Sequence, residues 1–518
     1  MRPERPRAAP AGAPSARGDR IAAWEPFALA GVLVLALALR LALLGALPLW
    51  FDEAFSLDVA RRTLPQIWAF LPGHDPHPVG YYALLSVWIH VSGTSLASIR
   101  LPSLLFGLAA VVLTWRLGRE LFSPLIGVVA AGLAAVNPFE ILASDDARMY
   151  AMLACLGLAA TWTLWRASRA GAGTGWWVAY GGAVALLAYT SYYALLLIFA
   201  HAMWVVTSRP RRAAAAQLGI AAAVALALYV PWLLASPTVS AWPSWRQPIT
   251  ANDVADLIAM PMFGGYVFGF GTYHYSGAAP PPVQALLLVP WIALGAAGAV
   301  VLGRVNRTAR SLVGLAWLVP LVVVVAASLA FGGRAAFPRH LVFLQPFAAL
   351  VIAAGIVHLR EAVGAPRGAA VSVLGVVLAA TFVVPALGSA ETNLQVRAYR
   401  YDLAARYLKD LYRPGDIVLF FPGQVFLPFR YYFVPPDRIE LVVYQHGWTD
   451  AALRAPIRQI AAMLAARRVR RVWLVFSPPW PRGALESLQQ ALVAAGYARA
   501  PAADFNELWV TLFMRPSP

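Results

Sequence analysis

Apolar and polar positions along this chain do not alternate but fall into blocks, and the blocks are long. Apolar runs cover Pro26–Leu47, Ile99–Leu117, Pro124–Leu142, Ala151–Trp165, Trp176–Thr190, Tyr193–Val206, Ala213–Leu234, Val283–Leu302, Leu312–Phe331, Leu341–His358 and Ala369–Leu387. Most approach the roughly 20 residues that a helix needs to cross a bilayer, so the pattern predicts a polytopic α-helical membrane protein with about eleven spans. A twelfth apolar run, Val79–Val91, is shorter, at about three and a half turns, and is read as an interfacial helix that does not cross.

After Leu387 the pattern changes. Apolar runs shrink to strand length and alternate with charged helical segments. Helices are expected near Arg397–Leu411, Gln424–Tyr432, Arg454–Ala466 and Gly483–Ala495, and strands near Asp416–Phe421, Ile439–Tyr444, Arg471–Phe476 and Glu507–Met514. This alternation predicts a small soluble α/β domain over residues 389–518 with a largely parallel sheet. It holds no glycine-rich phosphate-binding motif. Residues 1–23, rich in Pro, Ala and Arg, are expected to be disordered, and residues 24–388 form the transmembrane domain.

Charge sets the orientation. The 518 residues are 60% hydrophobic and 13% charged, with a net charge of +17. The arginines gather in short tracts between apolar runs: at the N-terminus, Arg116 and Arg119, Arg166 and Arg169, Arg209–Arg212, Arg304–Arg310 and Arg360–Arg367. With Val79–Val91 not crossing, all of them share one face, which the positive-inside rule makes cytoplasmic. No basic stripe with interleaved aromatics appears, so nucleic-acid binding is excluded. The single cysteine, Cys155, excludes a disulfide framework and a cysteine metal site. The same parity places the first outer loop (residues 48–98), Ser144–Tyr150, Ser236–Pro282, Gly332–His340 and the C-terminal domain on the non-cytoplasmic face.

The candidate chemistry lies in those outer segments. Asp52 and Glu53 sit together at the mouth of the first span, and carboxylates at that depth are expensive unless they serve a function. Either could take a proton from an attacking hydroxyl, or both could cap the helix that follows. Asp145, Asp146, Arg148 and Tyr150, in SDDARMYAM, could position sugar hydroxyls, hold a metal or neutralise a phosphate, or form an N-cap with its own ion pair. His74, Asp75 and His77 stand in a proline-constrained turn without zinc-site spacing. The residue types leave a divalent metal open as a cofactor; no other cofactor is indicated. Arg334, Arg339 and His340 run against the orientation bias, which fits capture of an anionic lipid phosphate or interfacial snorkelling. The aromatics of Ser236–Pro282, Trp242 to Tyr275, suit either an interface belt or sugar stacking.

Taken in order, WFDEAF, HPVGYY, DDARMYAM, TSYYALLL and PRHLVFLQPFAAL resemble glycosyltransferase family 39, the protein O-mannosyltransferase and aminoarabinose-transferase-like group with the GT-C fold. The likeness covers roughly Trp24 to His358. DDARMYAM departs from it with Asp where bacterial relatives often have Glu, and HDPHP lacks the acidic-basic pair of the aminoarabinose branch. The resemblance implies a bacterial inner-membrane enzyme that takes a sugar from a polyprenyl-phosphate donor and transfers it, with inversion, to a lipid, glycan or protein acceptor on the outer face. It also implies that Asp52 is the base with Glu53 beside it, and that Asp145 or Asp146 is the second acidic site. Arg148, Tyr150, His77 and Tyr82 complete the motifs, and Arg339, next to His340, meets the lipid phosphate. Two other classes remain. A flippase or transporter predicts broken mid-membrane helices and internal repeats; a non-catalytic assembly protein predicts no acidic cleft.

Overall fold

The computed structural model describes residues 16–45, 47–75, 77–208, 212–236, 282–333, 335–336, 338–363, 399–441, 450–477 and 482–516, with three isolated positions (254, 257 and 258) besides. Two expectations lie outside these residues: the eleventh span at 369–387 and the aromatics of the 236–282 loop. Arg334 does as well.

The membrane region is built from α1 (Ala16–Leu43), the short α2 (Phe51–Ala60), α3 (Leu64–Phe70) and α4 (Gly80–Ser92), then α5 (Leu96–Leu121), α6 (Pro124–Val136), α7 (Pro138–Ser144), α8 (Tyr150–Ala167), α9 (Thr174–Thr190), α10 (Ala194–Thr207) and α11 (Arg212–Ala235). After the undescribed segment come α12 (Pro282–Val305), α13 (Arg307–Ala330), a 3-10 turn at Pro338–Leu344 and α14 (Gln345–Ala362). Among the described residues, five helices are long and apolar enough to cross a membrane, or six if a bent pair counts as one span. The chain is a multi-pass membrane protein. The α4 helix, at 13 residues, reaches only about 20 Å at 1.5 Å per residue, short of a hydrocarbon core.

Two expectations are corrected here. Residues 16–23 are helical, because α1 extends back to Ala16 through a stretch that composition alone marked as disordered. The third span is not continuous: α6 and α7 meet at a 64° bend. Pro138 cannot donate to the helix that precedes it, and Asn137 restarts the chain by accepting the N–H groups of Phe139 and Glu140.

The C-terminal domain contains α15 (Tyr401–Leu411), β1 (Ile417–Phe421), α16 (Phe426–Phe429), β2 (Arg438–Glu440), α17 (Asp450–Ala466), β3 (Arg471–Phe476), α18 (Arg482–Ala494), β4 (Ala498–Arg499), β5 (Ala503–Asp504) and β6 (Trp509–Met514). The sheet order is β2-β1-β3-β6-β4, with β5 also on β6. Successive side chains point to opposite faces. Leu419 and Leu474 therefore pack under α17 and α18, while Val418, Phe420 and Trp473 pack under α15 and α16. The expectation of a largely parallel sheet is corrected. The β1 strand is parallel to β2 and β3, but β6 is antiparallel to β3, β4 and β5. Two short strands and no helix lie between Ala494 and Trp509, and without a crossover helix the last strand cannot return parallel.

Candidate active site

Four segments far apart in the chain meet at one end of the bundle: the start of α2, the turn before α4, the link between α7 and α8, and the 3-10 turn before α14. Glu53 is fully buried. The Arg100 Nε and Nη2 atoms each donate to one of its oxygens at 2.7 Å, and the Ala147 N–H adds a bond at 3.1 Å. The remaining Arg100 donors reach the carbonyls of Leu44, Leu47 and Pro48 at 3.0 to 3.2 Å. One bidentate pair thus ties the end of the first span, α2 and the DDAR turn to α5.

Asp52, one residue earlier, has a different environment. Its side chain is 18% exposed and faces Arg339 Nη2 at 3.6 Å, an ion-pair distance too long for a good hydrogen bond. The Arg339 guanidinium also lies 5.9 Å from the centre of the Trp50 ring. The indole N–H of Trp50 in turn donates to Asp146 Oδ1 at 3.0 Å. Asp52, Arg339, Trp50 and Asp146 therefore share one wall. Asp145 and Asp146 are both buried.

Beside that wall lies a second network. Arg148 Nη1 donates to the Tyr82 hydroxyl at 2.6 Å and lies 3.7 Å from Asp75 Oδ2. The Tyr82 hydroxyl donates to the same Asp75 oxygen at 3.0 Å. His77 Nδ1 lies 2.6 Å from the other Asp75 oxygen and 3.3 Å from Arg148 Nη2. A carboxylate can only accept, so at 2.6 Å His77 Nδ1 carries its N–H and donates to Asp75, and the longer approach of the Arg148 donor to the same nitrogen is a charge contact. Burial alone would raise the Asp75 carboxyl, but His77 and then Arg148 hold it down at about 2. Burial pushes the Tyr82 hydroxyl upward, so it stays protonated as a donor. His340 lies beside this network, stacked on Tyr193 with ring centres 4.7 Å apart and meeting His77 at 5.5 Å and Tyr150 at 6.2 Å.

All ten candidate residues lie in this region: Asp52, Glu53, His77, Tyr82, Asp145, Asp146, Arg148, Tyr150, Arg339 and His340. Among the described residues no group of three or more His, Cys, Asp or Glu side chains is gathered to hold a metal ion. Asp52 and Glu53 face arginines, Asp75 faces His77 and Arg148, and Asp146 accepts from Trp50 instead. Sequence reasoning missed Trp50, Arg100 and Arg40. A signal existed for Arg100, which opens the span after an outer loop and so runs against the orientation bias, as Arg339 does. Arg40 stands inside an apolar run, where a charge is itself a flag.

Comparison with known proteins agrees with this architecture. Residues 76–234 match the family model of dolichyl-phosphate-mannose-protein mannosyltransferase. The fold is similar to that of ArnT from Cupriavidus metallidurans in the apo state, with a TM-score of 0.62 and 14% identity over 95% of this chain and 98% of that one. It is also similar to the same protein bound to undecaprenyl phosphate, with a TM-score of 0.57 and 15% identity over 93% and 97%. A third likeness is to the archaeal oligosaccharyltransferase AglB from Archaeoglobus fulgidus in complex with an inhibitory peptide and a dolichol-phosphate, with a TM-score of 0.54 and 14% identity over 92% and 74%. No curated protein matches the chain. The chain shares the fold of these proteins, and its likeness to the group named from its motifs extends to the architecture.

Proposed function

We propose that this protein is a glycosyltransferase of the bacterial inner membrane, moving a sugar from a polyprenyl-phosphate-linked donor to a lipid, glycan or protein acceptor on the extracytoplasmic face. The observation that carries this reading is the partly exposed Asp52–Arg339 pair at 3.6 Å, set on a wall where the half-buried Trp50 is bonded to the buried Asp146. A carboxylate and a guanidinium side by side suit the two ends of one displacement.

In that reaction the acceptor oxygen forms its bond to the anomeric carbon as the bond from that carbon to the phosphate oxygen breaks. Asp52 takes the acceptor's proton, and Arg339 exchanges its ion pair with Asp52 for the phosphate oxygens that gain charge. A single displacement inverts the anomeric centre. Glu53, saturated by Arg100, holds Asp52 in place and exchanges no proton. Asp146, Asp145, Tyr150, His77, Tyr82, Arg148 and His340 line the sugar side. The undecaprenyl phosphate and dolichol-phosphate carried by similar folds support a lipid-phosphate donor.

The test offers purified protein a panel of polyprenyl-phosphate sugars with membrane extract and identifies products by mass spectrometry. Asp52→Asn is expected to lower kcat by at least about 100-fold with the fold intact. Full turnover in that variant would remove Asp52 as the base.

A further inference from the structure

The C-terminal domain reaches down onto the helix that carries Asp52. Its α16 helix and the turn after it present one face to the domain's own core, through Phe426 and Phe429. The other face, with Leu427, Tyr431 and Tyr432, packs against the membrane bundle. Three polar contacts come from that second face. The Tyr432 hydroxyl accepts the Leu49 N–H at 2.8 Å, just before Trp50, the residue that caps α2. Arg430 pairs with Asp58, near the other end of the same helix. The Tyr431 hydroxyl donates to the Thr94 carbonyl at 3.0 Å, in the link between α4 and α5. Beneath them Leu427 and Arg430 line a small cavity with Leu49, Ala54 and Leu57.

A ten-residue helix is too short to be stable by itself. Its position depends on what holds its ends. Glu53 and Arg100 fix α2 from the bundle side, and Tyr432 and Arg430 fix it from the domain side, one near each end.

We propose that Tyr432 and Arg430 are positioning residues for the transfer reaction, and that the C-terminal domain is a clamp that sets the place of Asp52 rather than a separable appendage. This rests on the proposed role of Asp52. Small displacements of a reacting group cost rate without costing affinity, and about 1 Å can cost up to about 100-fold. The signature of the clamp is therefore a loss in kcat.

The full-length protein carrying Tyr432→Phe or Arg430→Ala is compared with wild type in transfer kinetics and in amide hydrogen exchange. Each variant is expected to lower kcat by about 10-fold, with KM for the polyprenyl-phosphate sugar within about two-fold of wild type. Exchange should rise at Leu49 and across Phe51–Ala60 and stay unchanged in α5. Arg430→Lys should recover most of the rate. If Arg430 acts through Asp58, then Arg430→Ala combined with Asp58→Ala is no slower than the worse single variant. Unchanged kcat with unchanged exchange would overturn the clamp, as would losses that multiply in the double variant. Raised exchange throughout the bundle would mean that the contacts serve general stability, which also overturns it. If wild type transfers no sugar, the proposed function fails on its own, and the exchange pattern still decides whether the domain holds α2.

Discussion

Asp52 and Glu53 are adjacent in the chain and chemically alike, yet the fold gives them opposite fates. Glu53 points into the protein, where a carboxylate is tolerated only with its charge matched and its oxygens bonded, and Arg100 supplies both. Removing one partner leaves the other buried and unpaired, at a cost of about 3–5 kcal/mol. Arg100→Ala is therefore expected to lower the thermal midpoint sharply or to abolish folding, whereas Asp52→Asn leaves it near wild type. Thermal unfolding of the two variants in the same detergent separates these outcomes. Equal losses would mean that Asp52 is structural as well. Asp75 carries a pH signature. Its folded value of about 2 lies below the roughly 3.9 of an unfolded aspartate. Its contribution is thus fully present above about pH 4 and is lost as pH falls toward 2. The gap in thermal midpoint between wild type and Asp75→Asn should be constant from pH 5 to 7 and shrink below pH 4. A gap that changed between pH 5 and 7 would mean that another group dominates.

At the scale of elements, the break between α6 and α7 places the DDAR turn. Ending α6 at Asn137 leaves carbonyls of its last turn without helical donors, and Arg40, fully buried on α1, donates to the Ala135 carbonyl at 3.0 Å. The same guanidinium donates through Nε to Ser144 Oγ at 3.0 Å, the last residue of α7, so one arginine spans the bend. Gly107 lets α5 approach this junction. A Cβ there would overlap Ser144 Oγ and come within 2.9 Å of Ser144 Cβ and 3.3 Å of Arg40 Nε. Gly107→Ala is expected to push α7 away, destabilising by about 1–3 kcal/mol and lowering transfer, while Gly314→Ala, where a Cβ meets nothing, should be silent in both assays. Block hydrophobicity made most of these helices legible to within a few residues, and the residues that the fold gathers at the candidate site drew notice because charges in apolar surroundings stand out. The bend was less so, since Asn-Pro within an otherwise apolar run ends a helix without interrupting hydropathy. Trp50 was missed for a related reason: beside a membrane helix a tryptophan reads as an interface anchor, and only the fold shows its N–H spent on Asp146. The antiparallel β6 was missed because the strand's own sequence looks the same whichever way it runs, and direction depends on the connection before it.

For the whole molecule, the contacts fix which ends lie together. The Tyr432 bond to Leu49 puts the C-terminal domain at the end of the bundle where Asp52 sits. The 3-10 turn holds His340 beside that site, and the α14 helix that follows leads away from it. Leu350 already packs at Gly118, near the far end of α5, whose near end holds Arg100 against Glu53, and the remaining residues to Ala362 add about 18 Å at 1.5 Å per residue. Ala362 and the C-terminal domain therefore lie at opposite ends of the described bundle. In the proposed orientation, with the arginine tracts in the cytoplasm, the Ala362 end is cytoplasmic and the C-terminal domain lies outside. Cys155 makes this testable with little background, since it is the single cysteine and is buried. In spheroplasts, a membrane-impermeant maleimide should label Arg499→Cys, exposed in the C-terminal domain, and should label Glu361→Cys only after lysis. Labelling in the reverse order would invert the proposed orientation and move the transfer reaction to the cytoplasmic face. Labelling of both before lysis would mean that the two ends share one side, which a bundle with α14 crossing it does not allow.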